Sequence, residues 1–365
     1  MNVLFTGGGT GGHLYPALAI ARALVAIRPE VRPFFVGAQR GIERDVLPTT
    51  EFPHRLLDLH PLYRPQLWRN WKTLRGAVSG WRAMSALGRT LRPALVVGTG
   101  GYAAGLASAW AWAHRVPLVQ HIGDAVPGIT ARWTARFATE AYLGYPEAER
   151  WLPRGRCVYR DTGNPIQPPP DLHPAPAEAR ARWGFPAHAT VVLVFGGSQG
   201  ARAINRAVAS WVERGIPAGL CVLWATGRGQ HDAFAHLDRA DVRVVPYLSP
   251  ISDAYAAADL ALVRGGMMGT SELCAWGIPM VIVPLPSAAQ DHQTANAQVL
   301  EAAGAARHLP ESALSAERID AEVRALITDP VARRAMGEAA RRRGRPTAAA
   351  DIARQIAQRL DRRAV

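Results

Sequence analysis

Cysteine is scarce in this chain. Only Cys157, Cys221 and Cys274 are present, and no two of them form a CxxC pair. Neither a disulfide framework nor a cysteine-ligated zinc site is therefore predicted. So few cysteines are typical of a protein that works in a reducing cytoplasm.

Long hydrophobic runs are also lacking. The longest apolar stretch, residues 98–114, is rich in small residues and short for a bilayer span, so it predicts a buried helix. The N-terminal residues MNVLFTGGG have no basic start followed by an apolar run and a cleavage site, so no secretory signal peptide is predicted.

Acidic residues and lysine are under-represented. Lys72 is the single lysine, and arginine supplies the rest of a net charge of +13. Such a charge suits two kinds of partner, nucleic acid or an anionic membrane surface. No recognised nucleic-acid-binding motif is present, so no nucleic-acid partner is predicted.

Strands that end in glycine loops and open into helices recur along the chain. The first unit of this kind is residues 2–26, and the pattern restarts at residue 190 after the proline-rich stretch 167–177. Alternating strands and helices predict an α/β protein with parallel sheets. We expect an N-terminal domain at 1–166, a C-terminal domain at 167–345, and a C-terminal helix at 346–365 that packs back on the first domain.

The first glycine loop, residues 7–12, is followed at once by His13. It carries neither the GK[ST] of a P-loop nor a well-placed acid for a dinucleotide, so ATP hydrolysis and nicotinamide binding are not favoured. Glycine loops at helix starts can hold phosphates or sugars, although a tight turn without a ligand is an equal alternative. An imidazole there can handle a proton, or it can be structural.

Three further elements lie in the second half of the chain. A glycine loop at 196–200 again separates a strand from a helix, and two such loops predict a ligand site at the carboxyl ends of the strands. In the segment 264–272, Glu272 can accept the hydroxyls of a ribose or serve the first turn of a helix. The polar segment 290–297 suits sugar hydroxyls or an N-cap by Asp291 or Thr294.

Together these elements resemble one family. GGTGGH at 8–13, GTGGY at 98–102, GNP at 163–165, GGSQGAR at 196–202, the pair at 271–272 and HQTxNA at 292–297 occur in that order. The order is similar to that of the bacterial MurG family, the UDP-N-acetylglucosamine:N-acetylmuramyl-(pentapeptide) pyrophosphoryl-undecaprenol N-acetylglucosamine transferases. The resemblance covers nearly the whole chain.

The resemblance implies a GT-B fold, with two Rossmann-like doubly wound domains facing a central cleft. It implies inverting transfer of GlcNAc from UDP-GlcNAc to lipid I, giving lipid II for peptidoglycan, without a metal or other cofactor. The resemblance implies that His13 lies near the acceptor and handles the proton. Asp124 is our second catalytic candidate, because its carboxylate lies two positions after the place where the family has a glutamate. The implied donor-binding residues are Thr10, Gly11, Gly12, Ser198, Leu248 (for uracil), Met267, Met268, Gly269, Thr270, Ser271, Glu272 (for ribose), His292 and Gln293 (for GlcNAc hydroxyls).

The chain departs from the family pattern at several of these positions. Where the family motif HEQN has Glu and Asn, this chain has Ile122 and Asp124, and the arginine of GNPVR is replaced by Gln167. Arg264 and Arg202 are the candidate replacements for that cation at the diphosphate. The departures leave open a related enzyme with another lipid or small-molecule acceptor, or a low-activity protein that binds nucleotide sugars.

Residues 62–91 interleave tryptophan with basic residues. Trp68, Arg69, Trp71 and Lys72 form the densest part of this pattern. Tryptophan prefers the headgroup zone and basic residues attract anionic lipid, whereas the same periodicity also fits amphipathic helices packed on their own core. With the lipid acceptor that the family implies, the pattern predicts a peripheral protein on the cytoplasmic face of the bacterial cell membrane.

Overall fold

The computed structural model describes residues 1–60 and 70–364. The chain forms two compact units, Met1–Ile166 with Thr347–Val365, and Gln167–Pro346. Each unit contains one parallel β-sheet with helices around it. The predicted α/β class with two doubly wound domains is confirmed.

The first unit contains a seven-stranded sheet in the order β3-β2-β1-β4-β5-β6-β7. The strands are β1 Asn2–Thr6, β2 Arg32–Ala38, β3 His54–Leu57, β4 Leu95–Gly98, β5 Leu118–Ile122, β6 Glu140–Leu143 and β7 Val158–Asp161. The helices are α1 Gly11–Ile27, α2 Glu43–Val46, α3 Asn70–Leu91, α4 Gly101–Ala113, α5 Ile129–Thr134 and, from the end of the chain, α13 Ala348–Ala364.

The second unit contains a six-stranded sheet in the order β10-β9-β8-β11-β12-β13. The strands are β8 Thr190–Phe195, β9 Leu220–Ala225, β10 Val242–Val245, β11 Leu260–Val263, β12 Met280–Ile282 and β13 Ala306–His308. The helices are α6 Pro176–Arg182, α7 Arg202–Arg214, α8 Ile251–Ala257, α9 Met267–Trp276, α10 His292–Ala302, α11 Ala316–Ile327 and α12 Pro330–Arg343.

Strand β1 shows why the first sheet is buried on both faces. Val3 and Phe5 lie in one hydrophobic cluster with α1, whereas Leu4 lies in another with α3 and α4. Successive side chains of a strand point to opposite faces, so a continuous apolar run is what a doubly covered strand requires. Crossover helices on both faces produce this arrangement.

Helix α13 belongs to the first unit because of its own apolar spacing. Ile352, Ile356 and Leu360 are four residues apart and fully or almost fully buried in the cluster that contains α1. Residues at this spacing share one face of a helix.

Both sheets reverse their strand order at one point, and the glycine loops lie there. The reversal falls between β1 and β4 in the first unit and between β8 and β11 in the second. In open parallel sheets, ligands bind at the carboxyl ends of the strands at this switch point. The loops that follow β1, β4, β8 and β11 are the glycine-rich segments singled out in the sequence.

Candidate functional site

The two glycine loops of the first unit lie against each other. Gly8 N donates to Gly100 O at 3.3 Å, and Thr99 Oγ1 donates to His13 O at 2.6 Å. A β-carbon at Gly100 would lie 2.6 Å from His13 Nδ1, so only glycine leaves room for that ring. The loop after β4 therefore packs directly against the His13 imidazole.

A second histidine lies near His13. His121, at the end of β5, is 1% exposed, and burial lowers its pKa to about 3, with the nearby His13 acting in the same direction and the Asn164 side chain opposing it. At neutral pH the His121 ring is therefore uncharged and enclosed. Asn164, from the GNP motif, also donates to Gly123 O at 3.1 Å, which ties this motif to the end of β5.

The departures from the family motif have a structural basis. Ile122 is 3% exposed and packs in an apolar cluster with Ala141 and Leu143. A side chain in that environment provides neither a base nor a hydrogen bond. Asp124, two residues later, is half-buried in the loop before α5.

Glu43 is a residue of this region that the sequence did not indicate. It begins α2 and is completely buried, and its carboxylate accepts hydrogen bonds from Gly9 N at 2.9 Å and Ala38 N at 3.1 Å. Gly8 passes so close that a β-carbon there would collide with the carboxylate. A carboxylate thus lies directly beneath the first glycine loop.

Backbone N–H groups of the first loop are divided between two uses. Those of Gly8 and Gly9 are taken up by Gly100 O and Glu43. Those of Thr10, Gly11 and Gly12 donate to no acceptor in the part of the chain that the structure describes. The first N–H groups of a helix have no partner inside it and carry partial positive charge, so these three positions suit an anion or a sugar oxygen.

In the second unit, the loop 196–200 rests on a network of neutral groups. Asn205, 1% exposed on α7, donates to Thr226 O at 2.8 Å and to Gln230 Oε1 at 3.1 Å, and it accepts from Trp224 Nε1 at 3.0 Å. Gln230 Nε2 in turn donates to Gln199 O at 3.2 Å. Ser198 lies at the exposed tip of this loop.

Glu272 is held by a partner that sequence reasoning missed. Tyr255 on α8 donates its hydroxyl to Glu272 Oε2 at 2.6 Å. Burial raises the pKa of the Glu272 carboxyl, and the Tyr255 hydrogen bond partly opposes that rise. One carboxylate oxygen is therefore fixed while the other remains to accept hydroxyl groups.

The residues just before Glu272 are of two kinds, buried and half-buried. Met267 and Thr270 are buried, and Thr270 Oγ1 donates back to Gly266 O of its own helix at 3.0 Å. The other predicted donor-binding residues of the segment are half-buried: Met268, Gly269 and Ser271. The helix thus turns only part of the predicted set away from the core.

The start of α10 packs against the loop that precedes α9. Asn296 is fully buried and donates to Gly265 O at 3.0 Å, and Gln293 Oε1 accepts from Leu285 N at 3.0 Å. This contact orients the Gln293 amide and leaves its NH₂ group to donate. His292 Nδ1 lies 2.7 Å from Ala289 O, so the neutral ring presents Nε2 as its acceptor.

Two of the residues predicted at the diphosphate position differ in their surroundings. The Arg264 guanidinium contacts Glu311 at 2.5 Å and donates to Pro284 O at 2.9 Å and Val283 O at 3.2 Å. Its charge is therefore already shared with a carboxylate. Gln167, in contrast, is exposed. Leu248, which is predicted to contact the uracil, follows β10 and is 5% exposed.

Within residues 1–60 and 70–364, no group of three or more His, Cys, Asp or Glu side chains is arranged to hold a metal ion. Two of the acids described above are held by backbone or neutral partners, Glu43 by Gly9 N and Glu272 by the Tyr255 hydroxyl.

Known proteins share this arrangement over the full chain. The glycosyltransferase family 28 N-terminal domain matches residues 3–143, and the family 28 C-terminal domain matches residues 191–358. A UDP-N-acetylglucosamine--N-acetylmuramyl-(pentapeptide) pyrophosphoryl-undecaprenol N-acetylglucosamine transferase of Salinibacter ruber is 38% identical, with 99% of this chain and 97% of that protein covered. The chain belongs to the MurG family of glycosyltransferases.

Further MurG relatives agree in length and fold. The protein with the same name from Prosthecochloris aestuarii is 37% identical, with 98% of both chains covered. The crystal structure of Acinetobacter baumannii MurG superposes with a TM-score of 0.76 at 26% identity, covering 98% of this chain and 99% of that one. The predicted membership of this family is confirmed, and with it the GT-B class of fold.

Proposed function

We propose that the protein transfers GlcNAc from UDP-GlcNAc to lipid I, the undecaprenyl-diphosphate-linked acceptor, and so forms lipid II for peptidoglycan. The observation that carries this proposal is the 38% identity, over 99% of the chain, to a relative named for that reaction. The C1–oxygen bond to UDP breaks, the acceptor hydroxyl oxygen bonds to C1, and its proton passes to a base.

The second unit provides what a UDP-sugar donor requires. The free oxygen of Glu272 accepts the ribose hydroxyls, and the Leu248 backbone holds the uracil. Ser198 and the helix start behind it contact the diphosphate, and the Gln293 amide, oriented by Leu285 N, contacts the GlcNAc hydroxyls. A diphosphate leaving group is stabilised by such donors and helix dipoles without a metal.

The first unit provides the acceptor side and the base that takes up the proton. Thr10, Gly11 and Gly12 offer three N–H groups to the donor sugar and the acceptor diphosphate. His121, enclosed and with a pKa of about 3, is too weak a base for this task at neutral pH. His13 is therefore our candidate base, with Asp124 orienting it or the acceptor.

A donor screen followed by a transfer assay tests the proposal. Calorimetry should show UDP-GlcNAc and UDP binding, and radiolabelled GlcNAc should appear on a lipid I analogue. Binding without transfer to lipid I, but with transfer to another lipid or small molecule, would support the alternative acceptor that Ile122 suggests. Absence of both binding and transfer would reject a glycosyltransferase function.

We further propose that the protein works at the anionic cytoplasmic surface of the membrane. Trp112 and Trp133 are 58% and 46% exposed, and both lie against Phe137, with ring centroids 4.8 Å and 5.1 Å apart. Arg115 and Arg136 are exposed beside this aromatic cluster. Exposed tryptophans flanked by arginines suit a headgroup layer.

The predicted segment at 62–91 supports the same proposal only through the sequence. Trp68 and Arg69 lie outside the described residues, and Trp71 and Lys72 lie in the first turn of α3. No helix among the described residues is long and apolar enough to cross a bilayer. Flotation with anionic liposomes tests the surface: changing Trp112 and Trp133 to Ser should release the protein, whereas Tyr247→Ser in the second unit should not.

A further inference from the structure

Glu43 is enclosed by the backbone it holds. Its carboxylate is 0% exposed, and β-carbons at Gly8 and Gly41 would collide with it, while one at Gly37 would lie 2.9 Å from its side chain. Three close-packed glycines leave the carboxylate one position to occupy. The side chain therefore cannot move without moving the loop.

The carboxylate has backbone partners on two neighbouring strands. Ala38 N comes from the end of β2, and Gly9 N comes from the loop after β1, which pairs with β2. No arginine, lysine or histidine pairs with Glu43 within the described residues. A buried charge without a counter-ion depends on its hydrogen bonds, so both N–H groups are held firmly.

The hydrogen bond from Gly9 N to Glu43 determines which N–H groups of the first glycine loop remain available to a ligand. Gly9 has φ = 87°, a left-handed conformation that favours glycine, and its N–H donates to Glu43. The next three N–H groups, of Thr10, Gly11 and Gly12, are then left at the start of α1. A repulsive charge beneath Gly9 also disfavours an anion at that point and favours one farther along, at the helix start.

We propose that Glu43 is a positioning residue for sugar transfer: by binding Gly9 N it fixes the first glycine loop so that the N–H groups of residues 10–12, and His13 behind them, meet the acceptor. This inference rests on the proposed function and adds to it a residue outside every glycine motif. It concerns the first glycine loop, because Glu43 and its partners all lie in the first unit, and not the residues of the second unit that hold UDP.

The test compares Glu43→Gln with Glu140→Gln. Glu140 is also a nearly buried acid of the first unit, 6% exposed and paired with Arg359, but it begins β6 and so lies at the amino end of the sheet, away from the loops. Both changes remove a buried negative charge. Only Glu43→Gln places an NH₂ group where a backbone N–H has to be accepted.

For Glu43→Gln we expect faster hydrogen–deuterium exchange in peptides covering residues 7–12 and a kcat/KM for the lipid I analogue that is roughly 10- to 100-fold lower, as a displaced reacting group produces. The affinity for UDP should match that of the parent. Glu140→Gln should lower the unfolding temperature without changing loop exchange or acceptor kinetics. Should Glu43→Gln fail to fold, Glu43→Asp, one methylene shorter, is measured in the same way.

Two results would overturn the inference: parental exchange and kinetics in Glu43→Gln, or an equal loss of acceptor kcat/KM in Glu140→Gln. A parent protein that binds no UDP-sugar and transfers no GlcNAc would instead reject the proposed function. In that case, unchanged hydrogen–deuterium exchange at residues 7–12 in Glu43→Gln would show separately that Glu43 does not fix the first glycine loop.

Discussion

The glycine loops after β1 and β8 occupy equivalent places in their sheets, but different chemistry holds them. The first is braced by the buried Glu43 carboxylate, and its Gly7 and Gly8 are buried. The second rests on the neutral Asn205 network, and its tip, including Ser198, is exposed. The comparison indicates that the first loop is preorganised and that the second loop is more open.

The largest expected effect is the loss of the base in the first unit, which should slow the transfer without weakening the binding of UDP. His13→Ala should lower kcat by about 10²–10⁴-fold, the usual contribution of a positioned base. The affinity for UDP should stay near that of the parent, since His13 lies in the first unit. Single-turnover rates and calorimetry measure the two quantities, and Asp124→Asn should reduce kcat less.

If His13→Ala turns over the lipid I analogue at the parental rate while Asp124→Asn is inactive, the two roles are exchanged. If neither change matters, water or the substrate provides the base.

The neutral network of the second loop should matter mostly for stability. Asn205→Ala leaves Trp224 Nε1 and Thr226 O buried without their partner, which should cost about 2–4 kcal/mol in the free energy of unfolding. Urea unfolding measures this loss. Gln199→Ala, at the exposed tip, is the matched control and should cost little; an equal loss in both would refute the network as the support.

The pKa of Glu272 makes donor binding depend on pH. Burial raises that pKa above the ordinary value of 4.5, and the ionised form is the better acceptor for ribose hydroxyls. Affinity should therefore be highest above the raised pKa and fall as the pH drops through it. Uridine, which has no titrating phosphate, is the suitable ligand for calorimetry.

Removing the Tyr255 hydroxyl sharpens this prediction. Tyr255→Phe deletes the hydrogen bond that opposes the rise in the Glu272 pKa, so the fall in uridine affinity should begin at higher pH. Glu272→Gln should abolish the dependence. A pH profile that is the same in all three proteins would contradict the assignment of Glu272 to the ribose.

The smallest effects distinguish a packed loop from an open one. Gly8→Ala drives a methyl group into Glu43, and overpacking of this kind costs about 1–3 kcal/mol. A β-carbon at Gly197 meets nothing within 4 Å, but its φ of 89° makes Gly197→Ala cost roughly 1 kcal/mol through backbone strain alone. Thermal unfolding should rank the pair in that order, and the reverse order would contradict the packing.

The sequence was sufficient for features that depend on local pattern. The loops after β1, β4, β8 and β11 were identified from their glycines. Strands β3, β6, β7 and β13 were not predicted, because their three or four residues include at most one β-branched side chain and so carry little strand signal.

Partners from distant parts of the chain were not predictable. Glu43 resembles an ordinary surface acid in the segment IERDV, and it meets Gly9 only because β2 pairs with β1. Tyr255 reaches Glu272 only because α8 packs beside α9. Such contacts depend on tertiary packing, so periodicity and motif spacing leave no trace of them.

One matched pair of variants tests most directly whether the second unit binds the donor and the first unit acts on the acceptor. Glu43→Gln removes a fully buried carboxylate and Glu272→Gln a half-buried one, and calorimetry with UDP reports on the donor side alone. The prediction is parental UDP affinity for Glu43→Gln and a loss of about 1.5–3 kcal/mol in binding free energy for Glu272→Gln, the value of a charge-assisted hydrogen bond. Weakened UDP binding in Glu43→Gln, with parental binding in Glu272→Gln, would contradict it.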